Sequence, residues 1–260
     1  MNSPAYPADE AARPESRLPG SMARFRRILG TLLIASGLAM LTWTFVVWRW
    51  EDPFTSLYTA YRQHKLVAQY EERVASFEPA RRARSTSLAA EMRAVAGDAR
   101  RYRLSSSRGE AIGRIKARRL GLNMILVNST DHESLTKGPG RDERTYMPGE
   151  GELVYVAGHR TTYSAPFAHI DAFRRGDLVT LELPYATFVY RVTGHVIVPA
   201  DDIGRLRSHG REVLALQACH PRFFATQRYI VYAKPVRVIP RAGHAYSPAA
   251  RGPKADREAA

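Results

Sequence analysis

The C-terminal half of the sequence predicts an all-β domain, a sandwich or a barrel. Past Gly109, short runs of β-branched and aromatic residues are separated by turn residues, without intervening helical periods. Ahead of them lie an apolar segment long enough to cross a membrane and a charged, Ala-rich segment of helical pattern. The predicted strands are Met124–Val127, Leu153–Ala157, Leu178–Leu183, Thr187–Val192, His195–Val198, Val213–Ala218, Tyr229–Ala233 and Val236–Ile239, with a hairpin turn at Pro184-Tyr185-Ala186.

Composition restricts the chemistry of the protein. The 260 residues contain a single cysteine, Cys219, which excludes an internal disulfide, a Cys₄ or Cys₂His₂ zinc site and a Cys-x-x-Cys redox pair. Cys219 is then a buried thiol, an intermolecular bridge or a nucleophile. The net charge of +14 is compatible with nucleic acid, an anionic surface or simple solubility. A nucleic-acid role is disfavoured, because the basic residues concentrate outside the β domain without interleaved aromatic residues.

The apolar segment, residues 28–48, is predicted to be a transmembrane helix. No charged residue lies between Arg27 and Arg49, and a helix of this length spans roughly 30 Å, the thickness of the hydrocarbon core. The three tryptophans of the chain cluster at one end, where amphipathic rings favour the headgroup region. A cleaved secretory signal is the alternative, but it would have a shorter apolar core and small residues after it. We therefore expect an uncleaved anchor.

Charge asymmetry sets the expected orientation of this helix. Arginines are denser before it than after it, which predicts a cytoplasmic tail over residues 1–27 and an exported C-terminal part. Residues 49–108 are predicted to form a stalk, partly helical and partly flexible. The β domain is expected over residues 109–240, and residues 241–260 are expected to be a disordered tail.

Three candidate functional residues lie at the ends of predicted strands. Cys219 and His159 each follow a strand, and Arg228 precedes one. An imidazole is the usual partner of a nucleophilic thiol, since its ordinary pKa of about 6.5 lies within reach of a cysteine near 8.5. A guanidinium beside the sulfur could stabilise an oxyanion. Taken singly, each residue also has an ordinary structural interpretation, as a buried thiol, a loop histidine or a surface charge.

Together these residues resemble the signature of the sortases, the membrane-anchored transpeptidases of Gram-positive bacteria. The resemblance covers about Ile112 to Ile239 and rests on Ala157-Gly158-His159-Arg160, Leu216-Gln217-Ala218-Cys219 and Arg228-Tyr229-Ile230-Val231. Within the family the sequence is most similar to the actinobacterial class E enzymes. The residues that carry this similarity are Gly158-His159-Arg160-Thr161-Thr162-Tyr163, Ala165-Pro166-Phe167, Ile170-Asp171, Gly176-Asp177 and Cys219-His220-Pro221.

The resemblance implies a fold, an activity and partners. It implies a closed β-barrel of about eight strands with short helices, behind the anchor and stalk. It also implies cleavage of a C-terminal sorting signal, of the type Leu-Ala-x-Thr-Gly or Leu-Pro-x-Thr-Gly, between Thr and Gly, in secreted proteins. The acyl group would pass through a thioester on Cys219 to a cell-wall or pilin amine. His159 would be the acid and base, Arg228 would hold the carbonyl or oxyanion, and no cofactor is implied.

Other residues near the motifs also have structural interpretations. In class E enzymes a tyrosine at the position of Tyr163 is associated with the Leu-Ala-x-Thr-Gly signal, and the alternative is a loop tyrosine packing on the barrel. His220 is expected to be structural, because neighbours on a strand point to opposite faces. His169 and Asp171 are also expected to be structural. No metal site is expected, although some sortases use calcium, since the acids at 142, 143, 150 and 152 are scattered.

Two alternatives to a transpeptidase stay open, and the second of them rests on a departure from the family pattern. Ala215 and Ala218 stand where the family usually carries threonine. The loss of a hydroxyl beside the thiol is expected to bear on the oxyanion site and the substrate preference. The first alternative is a cysteine endopeptidase, in which water resolves the thioester. The second is a membrane-tethered binding protein with impaired catalysis.

Overall fold

The chain divides into two units, of which helix α1 (Gly20–Arg49) forms the first. The structure is a computed structural model that describes residues 20–49, 53–80 and 87–248. Within α1, Met22–Val46 has a mean hydropathy of 1.8 and is not buried inside the protein. The predicted apolar helix is therefore confirmed as a helix long enough to cross a membrane. Most of the predicted cytoplasmic tail, residues 1–19, lies outside the described residues.

The second unit is built on a closed barrel of eight strands, as the resemblance implied. The strands are β1 (Ala111–Ala117), β2 (Leu122–Asn128), β3 (Gly140–Arg141), β4 (Leu153–Ala157), β5 (Leu178–Glu182), β6 (Ala186–Pro199), β7 (Val213–His220) and β8 (Gln227–Pro240). The helices are α2 (Pro53–Ser76), α3 (Leu88–Ser105) and α4 (His132–Lys137). The barrel order is β1-β2-β3-β4-β7-β8-β6-β5. The pairs β2–β3 and β4–β7 are parallel, and the other pairs are antiparallel.

The predicted strands differ from the observed ones in two ways. The runs split by Thr193-Gly194 and by Lys234-Pro235 are continuous as β6 and β8, because bulges at these places let a strand bend without leaving the sheet. Strands β1 and β3 were not predicted. Strand β1 carries two charged residues, and β3 has only two residues, so neither shows a long apolar run. The hairpin at 184–186 is confirmed, since β5 pairs with β6 across it.

The segment predicted as a stalk packs on the barrel instead. From α2, Leu66 and Tyr70 are buried against residues of β1 and β2. From α3, Val95, Ala99 and Tyr102 are buried in the main hydrophobic cluster of the barrel. The three positions follow the i, i+4, i+7 spacing of one helix face, which the arginines between them obscure in the sequence. Helices α2 and α3 are therefore part of the folded domain rather than a spacer.

The chain continues in contact with the barrel beyond β8. Tyr246 exchanges two backbone hydrogen bonds of 2.9 Å with Val238 in β8. The predicted disordered tail begins at 241, ahead of this contact, so residues 241–248 form part of the folded domain. Residues 249–260 lie outside the described residues.

We expect the packing of α3 to be essential to the stability of the barrel. Val95 is fully buried, and a Cβ added at Gly149 would lie 2.8 Å from its Cγ1. Val95→Ala should lower the free energy of unfolding by about 2–3 kcal/mol, through lost burial and the cavity left behind. Urea unfolding of the full chain in nonionic detergent, followed by near-UV circular dichroism, measures this.

The matched control for Val95 is Arg100→Ala, on the exposed face of the same helix. It should change the free energy of unfolding by less than about 0.5 kcal/mol. Equally small effects of the two substitutions would mean that α3 contributes no packing to the barrel.

Candidate active site

Cys219 and Arg228 are directly paired across two neighbouring strands. Cys219 is the penultimate residue of β7, and its partner in the antiparallel register is Arg228 of β8. Directly opposite residues project from the same face of a sheet, with Cβ atoms about 4.5–5.5 Å apart. Both side chains are half-buried. Arg228 lies nine positions after Cys219 in the sequence, and the register of β7 with β8 brings the two residues opposite each other.

His159 reaches the same place from the other neighbour of β7. Strand β4 runs parallel to β7, with Ala157 opposite Gln217, and the N–H of Gly158 extends the ladder by donating to the Gln217 carbonyl at 3.0 Å. His159 therefore emerges beside Cys219. Glycine is required just before it, because a Cβ at 158 would lie 2.7 Å from the ring of Phe167.

All three predicted residues line one cleft of about 290 Å³. Its remaining wall includes apolar side chains from β6, β8 and the segment between β6 and β7: Val198, Ile203, Leu206 and Ile230. The structure thus brings Cys219, His159 and Arg228 together, as the sequence motifs imply. A cleft with an apolar wall and a few convergent polar groups is the usual form of a substrate site.

The pKa of His159 is lowered from its ordinary value of 6.5. The main cause is burial, which disfavours the charged imidazolium, and the second is repulsion from His132. The Nε2 atom is buried and has no hydrogen-bond partner among the described residues. The imidazole is therefore neutral at pH 7 and able to accept a proton.

Arg228 is fixed at the cleft by the backbone of its own turn. Its Nη1 donates to the carbonyls of Ala225 at 2.7 Å and Gln227 at 3.0 Å. These bonds hold the guanidinium on the face of the sheet that also carries Cys219. A permanent cation in a fixed position can stabilise developing negative charge without any proton transfer.

Tyr163 lies against His159 and is not among the residues that line the cleft. The two ring centroids are 5.0 Å apart. The loop around Tyr163 has three successive residues in the left-handed region, with φ of 53°, 58° and 32° at Tyr163, Ser164 and Ala165. This conformation costs roughly 1–2 kcal/mol per residue and needs support. The first turn of α2 supplies it, where Thr55 Oγ1 accepts from the Tyr163 N–H at 2.9 Å.

Arg160 is a functional candidate that the sequence reasoning missed. Its side chain is 4% exposed, and it joins the His159 loop to the end of β7. Its Nη1 donates to the Cys219 carbonyl at 3.3 Å and to His220 Nδ1 at 2.9 Å, and its Nη2 lies 2.9 Å from Asp171. The guanidinium also lies 5.8 Å from the ring centroid of Tyr229. The signal in the sequence was a charged residue directly after the predicted base, in a motif otherwise poor in charge.

This network accounts for two other residues. His220 lies on the opposite face of β7 from Cys219 and accepts a hydrogen bond from Arg160. Its ring therefore contacts Arg160 and does not line the cleft. Asp171 neutralises Arg160 from the short 3₁₀ helix at 170–172. Both residues have the structural contacts that the sequence analysis expected of them.

Ala215 and Ala218, which stand where the family usually has threonine, leave no gap beside the sulfur of Cys219. Ala218 is fully buried in the interior cluster of the barrel, on the face of β7 opposite to Cys219. Ala215 shares the face of Cys219 but lies four residues before it, at roughly 13 Å along a strand, in a separate buried cluster. The expected effect on the oxyanion site therefore has no geometric basis, because a hydroxyl at either position would enter packed core.

The acidic residues at 142, 150 and 152 are engaged in contacts with the protein. Asp142 pairs with Arg144 at 2.7 Å, and Glu150 pairs with Arg103 at 2.7 Å. Glu152 accepts from a serine hydroxyl. Within the described ranges, no group of three or more His, Cys, Asp or Glu side chains is placed to hold a metal ion.

Comparison with known proteins identifies the domain. Residues 115–236 match the family model described as the Sortase domain. The barrel domain belongs to the sortase family. Sortase D of Bacillus subtilis is 32% identical over 132 residues, which are 49% of this chain and 65% of that sortase. Sortase SrtE1 of Streptomyces coelicolor is 30% identical over 96 residues, which are 33% of this chain and 27% of that sortase. The chain spans less than two thirds of either relative.

Solved sortase structures share the fold. The Sortase D5 transpeptidase of Clostridium perfringens superposes with a TM-score of 0.54 at 20% identity, over 67% of this chain and 98% of that one. The SrtF sortase of Corynebacterium diphtheriae superposes with a TM-score of 0.51 at 24% identity, over 54% of this chain and 91% of that one. At these identities the likeness concerns the closed barrel alone.

We expect Arg160 to act as a positioning residue for the sortase site. Arg160→Met removes all of its polar contacts and should lower the free energy of unfolding by about 1–3 kcal/mol. It should also slow alkylation of Cys219 by iodoacetamide at pH 7, because the end of β7 and the loop that carries His159 lose the side chain that joins them. The alkylation is specific, since the chain has one cysteine.

Two variants control this experiment. Arg174→Met removes an exposed arginine from the same region and should leave both quantities unchanged. Arg160→Lys keeps the charge and should recover part of the alkylation rate. Identical alkylation rates in the wild type and Arg160→Met would show that Arg160 has no influence on the thiol.

Proposed function

We propose that this protein is a membrane-anchored sortase that cleaves C-terminal sorting signals of secreted proteins and transfers the acyl group to an amine. The observation that carries the proposal is the convergence of Cys219, His159 and Arg228 on one cleft of a sortase-family barrel. The family is one of cysteine transpeptidases, and a thiol, an imidazole and a fixed guanidinium are the groups that this chemistry needs.

In the first half-reaction, the sulfur of Cys219 attacks the carbonyl of the threonine that precedes glycine. The neutral imidazole of His159 accepts the thiol proton as the C–S bond forms. It then donates this proton to the glycine nitrogen as the peptide C–N bond breaks. The products are a thioester on Cys219 and a free amine. The lowered pKa of His159 suits this order, because the base is present in its proton-accepting form at neutral pH.

Arg228 holds the carbonyl oxygen of the scissile bond while it carries negative charge. Its position opposite Cys219 on the same face of the sheet supports this role. The charge of a guanidinium persists at any physiological pH, so the oxyanion needs no proton from it. The apolar wall of the cleft, which includes Val198 and Ile230, suits the leucine side chain that opens a sorting signal.

In the second half-reaction, an amine attacks the thioester. His159 takes the proton of the amine and returns it to the departing sulfur, which regenerates the thiol. Water in place of the amine gives hydrolysis and an endopeptidase. A cell-wall precursor and a pilin lysine are the two acceptor classes, and both supply a primary amine.

Tyr163 bears on the choice between the Leu-Ala-x-Thr-Gly and Leu-Pro-x-Thr-Gly signals. Its ring lies against His159, outside the residues that line the cleft. This position supports an influence through the orientation of His159 more than a direct contact with the signal.

Helix α1 is the proposed anchor, with its N-terminus in the cytoplasm and the barrel domain outside the cell. The support is its apolar length and the excess of arginine before it. Secreted proteins with a sorting signal would then meet the domain at the outer surface of the membrane.

The decisive experiment uses the full chain in nonionic detergent with Leu-Ala-x-Thr-Gly and Leu-Pro-x-Thr-Gly peptides, followed by mass spectrometry. With glycine or a diaminopimelate-type amine present, we expect the acyl-amine product. Cys219→Ala should reduce turnover by on the order of 10⁴-fold or more, because no thioester can form. Ser247→Ala, at an exposed position, is the control and should leave turnover unchanged.

Each of the other outcomes of this experiment selects an alternative. Hydrolysed peptide alone in the presence of amine indicates an endopeptidase. Binding of the peptide without turnover, unaltered in Cys219→Ala, indicates a binding protein. Full turnover in Cys219→Ala rules out cysteine chemistry.

The single cysteine also allows the topology to be tested. In intact cells, a membrane-impermeant maleimide should label Cys219 if the barrel domain lies outside. A second variant, Cys219→Ala with Ser247→Cys, places the thiol at an exposed site on the same domain. A third, Cys219→Ala with Ser3→Cys, should be labelled only after permeabilisation. Labelling of the domain only after permeabilisation would contradict the proposed orientation.

A further inference from the structure

Helix α2 has apolar side chains on the face that points away from the barrel. Leu57, Tyr58 and Tyr61 are 73%, 44% and 55% exposed, and we call these three residues the α2 patch. The opposite face carries Leu66 and Tyr70, which are buried against β1 and β2. A surface helix ordinarily buries one apolar face and presents polar residues to water on the other. Large apolar side chains clustered on the outer face therefore indicate a binding surface.

The α2 patch is confined to the N-terminal half of the helix. Toward the C-terminal end, the outer face carries Glu71 and Glu72, which are both exposed. The opposite face packs on the barrel near both the middle and the end of the helix, through Leu66 and Tyr70. The change from apolar to acidic residues on the outer face is thus not required by packing on the barrel. It follows the position along the helix.

The N-terminal half of α2 is the half that lies next to the proposed anchor in the chain. Helix α1 ends at Arg49 and α2 begins at Pro53, so three residues separate the two helices. A segment of this length spans at most about 14 Å. The α2 patch is therefore tethered close to the membrane surface from which the chain emerges. Glu71 and Glu72 lie roughly 27 Å further along the helix than its first residue.

The residues of the patch and their neighbours suit the headgroup region of a bilayer. Tyrosine rings favour this region, because they combine an apolar body with a polar hydroxyl. Arg62 Cζ lies 5.7 Å from the ring centroid of Tyr58, and Lys65 Nζ lies 4.6 Å from that of Tyr61. Long cationic side chains can keep their charge among the headgroups while their stems lie along apolar surface. Arg62 and Lys65 are the charged residues of α2 ahead of Glu71, so this half of the helix also complements anionic lipid.

We propose that the α2 patch docks on the surface of the membrane that α1 crosses, with Leu57, Tyr58 and Tyr61 inserted at headgroup level. The proposal goes beyond the proposed function and rests on its anchor. Three features converge on a bilayer as the partner: the exposed apolar side chains, the short tether to α1 and the switch to acidic residues away from that tether. A helix of this composition lies in the plane of the interface.

Docking of α2 would also fix the catalytic loop relative to the bilayer. Thr55 and Ser56 directly precede the patch and contact the loop that follows His159. Thr55 Oγ1 accepts from the Tyr163 N–H at 2.9 Å, and the Ser56 carbonyl accepts from the Ser164 hydroxyl at 3.2 Å. The surface that meets the membrane and the loop that carries the base are thus joined through one turn of helix.

The first test measures the immersion of the patch with a spin label. In the full chain, Cys219→Ala with His64→Cys places one thiol on the outer face of α2, one turn after Tyr61. The matched control, Cys219→Ala with Glu72→Cys, places it on the same face beyond the patch. Both proteins are labelled with a nitroxide and reconstituted into liposomes of equimolar phosphatidylcholine and phosphatidylglycerol. The accessibility of the label to oxygen, divided by that to a water-soluble nickel chelate, should be about threefold or more higher at 64 than at 72.

The second test removes the patch. Leu57→Ser with Tyr61→Ser, added to the variant labelled at 64, should lower its accessibility ratio to that of the label at 72. Leu104→Ser with Leu178→Ser is the matched control, because it removes two exposed apolar side chains outside α2 and should leave the ratio unchanged. Equal ratios at 64 and 72 with the patch intact would overturn the proposal, and so would a ratio at 64 that does not respond to loss of the patch. The comparison of 64 with 72 needs no change in the patch and therefore does not depend on the folding of the serine variant.

Two further readings separate the possible failures. Dipolar broadening of the label at 64, together with a ratio as low as that at 72, would assign the patch to a second copy of the chain and overturn membrane docking. Flotation of the liposomes tests the anchor independently. A chain that floats with the liposomes but keeps the label at 64 in water retains its anchor and loses the docking proposal alone. A chain that does not float contradicts the anchor, and the docking proposal fails with it.

Discussion

The pairing of β7 with β4 on one side and β8 on the other is the constraint on which the site depends. His159 lies sixty positions before Cys219 and Arg228 lies nine positions after it. Each of the three is placed by the backbone hydrogen bonds of these strands. A shift of β8 by one residue would move Arg228 to the opposite face of the sheet. The hydrophobic interior opposes this shift, because the neighbouring residues Ala218 and Tyr229 face the core. The chemistry therefore depends on register, and register depends on packing.

Local patterns were enough to predict the elements that lie next to the site. Strand β4 was predicted with its observed bounds, because five successive apolar residues are followed by a glycine. Cys219, His159 and Arg228 came from family motifs, and the structure brings them into one cleft. The proximity of His159 to Cys219 could not follow from spacing alone, since it results from a parallel pairing between strands about sixty residues apart in the sequence.

Features that depend on contacts between distant parts of the chain could not be predicted from the sequence, for identifiable reasons. Arg160 is indistinguishable from a surface arginine in the sequence, and its role follows from contacts with residues up to 60 positions away. Helices α2 and α3 have too many charged residues to suggest a core face, although Leu66 and Tyr70, like Val95 and Ala99, keep the spacing of one. The effect expected of Ala218 has no contact with the sulfur of Cys219 to support it, because the side chain of Ala218 lies on the opposite face of β7, in the barrel interior.

The contact between α2 and the loop after His159 has a practical consequence for anyone preparing a soluble fragment. A fragment that begins at the predicted boundary of residue 109 would contain every strand and all three candidate catalytic residues. It would nevertheless lack Thr55, which binds the left-handed turn at Tyr163, and Val95, which fills the barrel wall. Poor activity of such a fragment would reflect where the gene was cut rather than the competence of the enzyme. A soluble fragment should therefore keep α2 from its first residue.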